Sequence, residues 1–219
     1  MCDAQLCLLD KMFTAEFRDQ FDALLRWRRD VRHFKSDPVA PELLDHLLAQ
    51  AMLAPSVGFS QPWRWVKVET QARRQTILEN FSAANLEAST HYEGEQAEHY
   101  RRLKLAGLVE APVHLAVFAD LDPVAGSGLG RRTMPETALW SVVMAIHTLW
   151  LAARLEGIGL GWVSILDPQA AQRCLEVPDE WSFVAYLCLG WPVEISEQPL
   201  LEREHWQERL PLDELVLKR

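Results

Sequence analysis

Arg28-Arg29-Asp30-Val31-Arg32, followed about twenty residues later by Ala54-Pro55-Ser56-Val57-Gly58-Phe59-Ser60-Gln61-Pro62-Trp63, is the pair of segments on which the reading of this chain turns. The first sets three guanidinium groups around one carboxylate at the end of an expected helix. Arginine forks match phosphate oxygens bidentately, so the cluster suits a small phosphorylated ligand. The competing reading is a surface ion-pair cluster, worth only ~0–1 kcal/mol per exposed pair. The second segment is a loop of small, rigid and polar residues ending in an indole, suited to a flat heteroaromatic ring with an amide-like edge. Phosphate at one end and a flat ring at the other describe a mononucleotide, most simply a flavin.

Composition narrows the setting. At 219 residues the chain fits one domain or one subunit of an interlocked oligomer. Apolar residues make up 49% and charged residues 24%, a globular balance. A net charge of -9 argues against general nucleic-acid binding, which leaves the arginine cluster as local recognition. Cys2, Cys7, Cys174 and Cys188 form no Cys-x-x-Cys pair and no zinc spacing, and read as reduced thiols of a cytoplasmic protein. The first eleven residues lack the basic and long apolar regions of a signal peptide, and no run reaches the ~18 apolar residues of a membrane span. The histidines show no pairing on one helix face, so no metal site is expected.

Phe17, Phe21, Leu24 and Leu25 recur at helical spacing, with Arg26 to Arg29 supplying the positive charge a helix C-terminus favours. Pro41-Glu42 opens a second helix toward Ala54. Trp63 to Glu69 alternates as a half-buried strand, and Gln71 to Ala84 reads as helix. Asn85 to Val109 is a long polar helical excursion, either a lid over a site or a solvated surface helix. Val113–Ala119 and Phe183–Gly190 are continuous apolar runs, expected as central strands buried on both faces. Leu139 to Leu155 is apolar nearly all round, which predicts burial on every side and hence a subunit interface as well as a core. Gly157-Ile-Gly159-Leu-Gly161 is expected to end that helix, with a strand beginning at Trp162. The Gly126-Ser-Gly128-Leu-Gly130 run has the wrong spacing for a dinucleotide motif. Irregular mixing of helices and strands favours α+β over a doubly wound fold.

The arginine segment, the Pro55-to-Trp63 loop and Gly159-Leu-Gly161-Trp162, in that order, resemble the nitroreductase superfamily of homodimeric FMN proteins, over about residues 16 to 217. Asp30, Phe59, the Tyr100-Arg-Arg-Leu-Lys104-Leu105 segment, Gly161-Trp-Val-Ser164-Ile and Trp206-Gln-Glu-Arg209 are similar to its flavin-consuming 5,6-dimethylbenzimidazole synthase branch. The loop from Ala125 to Pro135 departs from the family pattern after Arg131.

The resemblance implies a mixed central sheet flanked by helices and an interlocked homodimer. A single domain would cover 16–219 behind an N-terminal extension (1–15), with a lid at about 85–110 and a C-terminal arm at about 192–219. It also implies FMN contacts by Arg28, Arg29, Asp30, Val31, Arg32, Ser56, Leu105, Ser164 and Arg209. Asp30 would be a base, ionised and with its pKa lowered by its arginine neighbours, and Ser164 would set its hydroxyl near flavin N5. The implied reaction uses O2 and reduced FMN, the latter supplied from NAD(P)H by a separate flavin reductase, and yields 5,6-dimethylbenzimidazole and erythrose 4-phosphate. An NAD(P)H-dependent nitro or enone reductase with a recycled flavin is the alternative, and a non-catalytic flavin carrier a further one.

Overall fold

The computed structural model describes residues 13–219, so Cys2, Cys7 and most of the segment expected as an extension lie outside the described residues. Helix α1 (Ala15–Trp27) begins on Thr14, whose hydroxyl accepts the Phe17 N–H at 3.2 Å. Helix α2 (Pro41–Ala51) carries Pro41 in its first turn, where a missing N–H costs nothing, and buries Leu44, Leu47 and Ala51. The remaining elements are β1 (Trp63–Lys67), α3 (Gln71–Ser89), α4 (Gly94–Arg102), β2 (Val113–Asp120), α5 (Thr137–Leu155), β3 (Gly159–Val163), α6 (Pro168–Leu175), β4 (Trp181–Gly190), α7 (Leu200–Arg203) and α8 (Leu212–Leu215). Helix α3 runs on past Ala84 to Ser89, and α4 follows it.

The four strands form one sheet in the order β1-β2-β4-β3, antiparallel throughout. Its mixed character is confined to one parallel bridge, Asp30 to Leu160, made by the chain leaving α1. That chain then meets Pro192 through Phe34, so residues 30–34 cover the exposed edge of β3. Helices α2 and α5 pack one face of the sheet, α3 and α6 the other. Buried between two helical layers, β2 and β4 are apolar at consecutive positions, as their sequence runs predicted.

Helix α5 has a mean hydropathy of 1.5, long and apolar enough to cross a membrane by length and composition. Here it is a core helix: Val142, Ala145, Ile146, Leu149 and Ala153 are fully buried against the sheet. Each large aliphatic side chain so placed is worth ~1.5–3 kcal/mol. The expectation that α5 is buried on every side is corrected within one chain, because Trp140, Val143 and Met144 are exposed on its outer face.

One buried polar group sits on the α3 and α6 side of the sheet. His114 lies 2.9 Å from the Tyr186 hydroxyl and 3.1 Å from the Ala111 carbonyl. The carbonyl can only accept, so Nε2 carries the proton and Nδ1 accepts from Tyr186. Burial, helped by the Arg74 charge, lowers the His114 pKa to about 4 and keeps the ring neutral.

Candidate active site

Beyond Trp27 the backbone turns extended at Arg28, and the Val31 N–H donates to the Leu160 carbonyl at 3.0 Å. This close approach requires glycine on β3. A Cβ on Gly161 would stand 2.1 Å from the Val31 carbonyl oxygen, and one on Gly159 would meet the Val31 side chain at 2.8 Å. The bridge sets Asp30 beside the strand: its Oδ1 accepts the Trp162 N–H at 2.8 Å, and its Oδ2 accepts from Arg32 Nε at 2.8 Å and from Nη2. Both carboxylate oxygens are therefore held. Burial raises the Asp30 pKa against the pull of Arg32 and the Trp162 N–H. The direction is opposite to that expected from the arginine neighbours alone, because desolvation outweighs them. The carboxylate is thereby a stronger base than a solvated aspartate.

The arginines divide their work. Arg28 lies over the Trp150 ring, 5.0 Å from its centroid, and the Trp150 indole N–H donates to the Arg29 carbonyl at 2.9 Å. Arg29 donates to the carbonyls of Arg26, Arg28 and Glu197, tying the end of α1 to the C-terminal arm. Burial and the charges of Arg28 and Arg209 lower its pKa. Arg32 is committed to Asp30.

These side chains open onto a cavity of about 200 Å³. Arg28, Arg29, Asp30 and Arg32 form one wall, Lys104 and Leu105 just past α4 a second, and Leu200, Leu201 and Arg209 from the C-terminal segment a third. Lys104 also pairs with Glu110. Five cationic side chains around one already-partnered carboxylate suit a phosphorylated ligand. Six of the nine residues expected to contact it line this cavity, Leu105 and Arg209 among them although distant in sequence, and Val31 lines the adjoining hollow with Asp30.

Ser56 and Ser164 stand apart from the cavity. The Ser56 hydroxyl accepts the Gln61 N–H at 3.0 Å, and the Val57 N–H donates to Ser141 Oγ at 3.0 Å near the start of α5. Trp150, beside the arginines, lies nine residues further along that helix, ~13 Å away at 1.5 Å per residue. Ser164 is exposed in the turn after β3 rather than inside a strand. The strand expected to begin at Trp162 starts at Gly159, and helix termination falls to Gly157 alone, at φ +75°. Glycines that resemble a helix stop serve here to let two backbones touch. Sequence reasoning passed over Lys104, although it stands inside the segment picked out as a lid.

Helical layers on both faces of an antiparallel sheet, with a cationic cavity beside its edge strand, define a class of small-ligand α+β proteins. The chain belongs to the nitroreductase family, whose model matches residues 25–191. It is 57% identical over 200 residues to the 5,6-dimethylbenzimidazole synthase of Rhodospirillum rubrum, covering 91% of this chain and 95% of that one. To the 5,6-dimethylbenzimidazole synthase of Rhodobacter capsulatus it is 52% identical, covering 92% and 97%. Among solved structures, iodotyrosine deiodinase bound to FMN and 3-iodo-L-tyrosine matches with a TM-score of 0.67 at 25% identity, over 80% of this chain and 90% of that one. A nitroreductase family protein from Streptococcus pneumoniae matches with a TM-score of 0.62 at 23% identity, over 91% and 100%.

Proposed function

We propose that this protein is a 5,6-dimethylbenzimidazole synthase that fragments reduced FMN with O2, releasing 5,6-dimethylbenzimidazole, the lower ligand of vitamin B12, and erythrose 4-phosphate. The observation that carries the reading is Asp30, a carboxylate of raised pKa fixed on the wall of a cationic cavity. Relatives at 57% and 52% identity bearing that name support it.

The residues present fit FMN. Arg28, Arg32, Arg209 and Lys104 would hold the phosphate and ribityl end, and Leu105 would cover the ring. What bound reduced FMN supplies is reducing power toward O2 and the dimethylated ring kept in the product. Asp30 would accept a proton from the ribityl chain; its raised pKa brings it nearer the working pH, where a general base is most effective. The Ser164 hydroxyl, able to donate or accept, would hold the proton at ring N5. Arg29 would act indirectly, by holding the arm over the site.

The functional unit in this reading is a homodimer. Small-ligand pockets run to ~300–1,000 Å³, and the cavity beside Asp30 measures about 200 Å³ in one chain. Ser56 lies at the far end of α5, and Phe59 beside it is 76% exposed. A second copy packed on the outer face of α5 would bring that loop to the arginines. The protein would work in the cytoplasm, beside a flavin reductase that draws on NAD(P)H.

The test is aerobic incubation with FMN, NADPH and a separate flavin reductase, followed by mass spectrometry. The expected product is 5,6-dimethylbenzimidazole. Intact FMN, with NADPH consumed only when a nitroaromatic is added, would place the chain among the reductases instead.

A further inference from the structure

Lid and arm meet away from the cavity in a cluster of rings. Trp206, on the arm, lies edge-on to Tyr92 at 5.4 Å and to His99 at 5.4 Å, and tilted against Tyr100 at 6.2 Å. Tyr92 stacks on Tyr100 at 4.6 Å. Tyr100 is buried, and its hydroxyl donates to Asn85 Oδ1 at 2.7 Å, so the lid half of the cluster is anchored to α3. On the arm, the Trp206 N–H donates to the Leu201 carbonyl at 2.8 Å in a turn that places His205 at φ +54°.

Each half of the cluster is a short step from a cavity wall. Lys104 and Leu105 follow Tyr100 by four and five residues. Leu201 is bonded to Trp206 itself, and Arg209 lies three residues beyond it. Ring pairs in edge-on geometry attract beyond their burial. Besides this cluster, the arm is held near the site by the Arg29 bond to the Glu197 carbonyl and, at its start, by the Val193 N–H donating to the His33 carbonyl at 3.0 Å.

We propose that Trp206 is a positioning residue that keys the arm onto the lid, so that Lys104, Leu105, Leu201 and Arg209 close over the ligand as one wall. It touches no reacting atom; it decides whether the two movable walls open together or separately. The flavin reading enters only through the ligand used in the second readout below.

Amide hydrogen exchange on the ligand-free protein gives the first readout. Trp206→Ala is expected to speed exchange in both 94–105 and 197–209 while β2 and β4 keep their protection. The second readout is release of bound oxidised FMN, followed by recovery of flavin fluorescence. Release should be about tenfold faster in Trp206→Ala, the factor that loss of one or two ring contacts supplies. Trp206→Phe, which keeps an edge-on ring, should restore both values. Faster exchange in the arm alone, with the lid unchanged, overturns the proposal, as does unchanged FMN release. A protein that binds no FMN would refute the flavin reading, and the exchange pattern would then decide the coupling by itself.

Discussion

Asp30 carries three duties: acceptor of the Trp162 N–H, acceptor from the Arg32 guanidinium, and base. Asparagine keeps the size and the first duty, releases Arg32 toward the ligand, and loses the third. Asp30→Asn should therefore bind FMN within a few-fold of the parent, measured by flavin fluorescence titration. Its yield of 5,6-dimethylbenzimidazole should fall by ~100-fold or more, the usual worth of a positioned base. In the parent protein the acid limb of the rate profile should lie above the ordinary aspartate value of ~3.9, because burial raises this carboxyl. His114 makes a different pH prediction, on stability. Its folded pKa is about 4, against ~6.5 in the unfolded chain. As pH falls through 6.5 the unfolded chain binds a proton that the folded ring refuses, so stability is lost between about 6.5 and 4 and levels off below. The loss is on the order of 3 kcal/mol. Urea titrations across that range should show the decline, and His114→Gln should flatten it.

The contact of β3 with the chain leaving α1 sets the site more directly than any single arginine does. Gly161→Ala drives a Cβ into the Val31 carbonyl, and backbone cannot step aside as a flexible side chain would. The expected cost is about 1–3 kcal/mol in urea unfolding, as for other overpacked positions, with loss of product formation as Asp30 is pushed off the strand. This contact also marks where the sequence stopped being legible. Strands β2 and β4 could be read because a strand covered on both faces must be apolar at every position. That the arginine segment and Asp30 belong on one cavity wall could be read because charge in a fixed order carries chemistry. Strand β3 could not: Gly159-Leu-Gly161 has the composition of a helix stop, and its use as a docking groove for Val31 depends on a partner more than 120 residues away. Lys104 was hidden for a similar reason, since only the fold turns the end of the lid back onto the arginines. Helix α5 was legible as apolar all round, but composition cannot say which side its own chain covers.

That uncovered side bears on the whole molecule. No residue of α1 is buried, although Phe17, Phe21 and Leu25 form one apolar face, and Trp140, Val143 and Met144 line the outer side of α5. Apolar side chains exposed together on two packed helices point to an association site. A second copy of the chain is the partner that would also complete the cavity, since the Ser56 loop and the arginine cluster sit at opposite ends of α5. The protein should therefore elute at twice its 25.1 kDa chain mass in light scattering, with flavin absorbance under the same peak. Met144→Asp sets a charge in the middle of the outer face of α5, half-exposed in one chain and costly to bury in the dimer. It should run at the single-chain mass with its helical circular dichroism intact. It should also lose FMN, although Arg28, Arg32, Lys104 and Arg209 are untouched. A parent protein that holds FMN as a single chain would mean that the 200 Å³ cavity opens further by movement of the lid and arm alone, and the apolar faces of α1 and α5 would then need another partner.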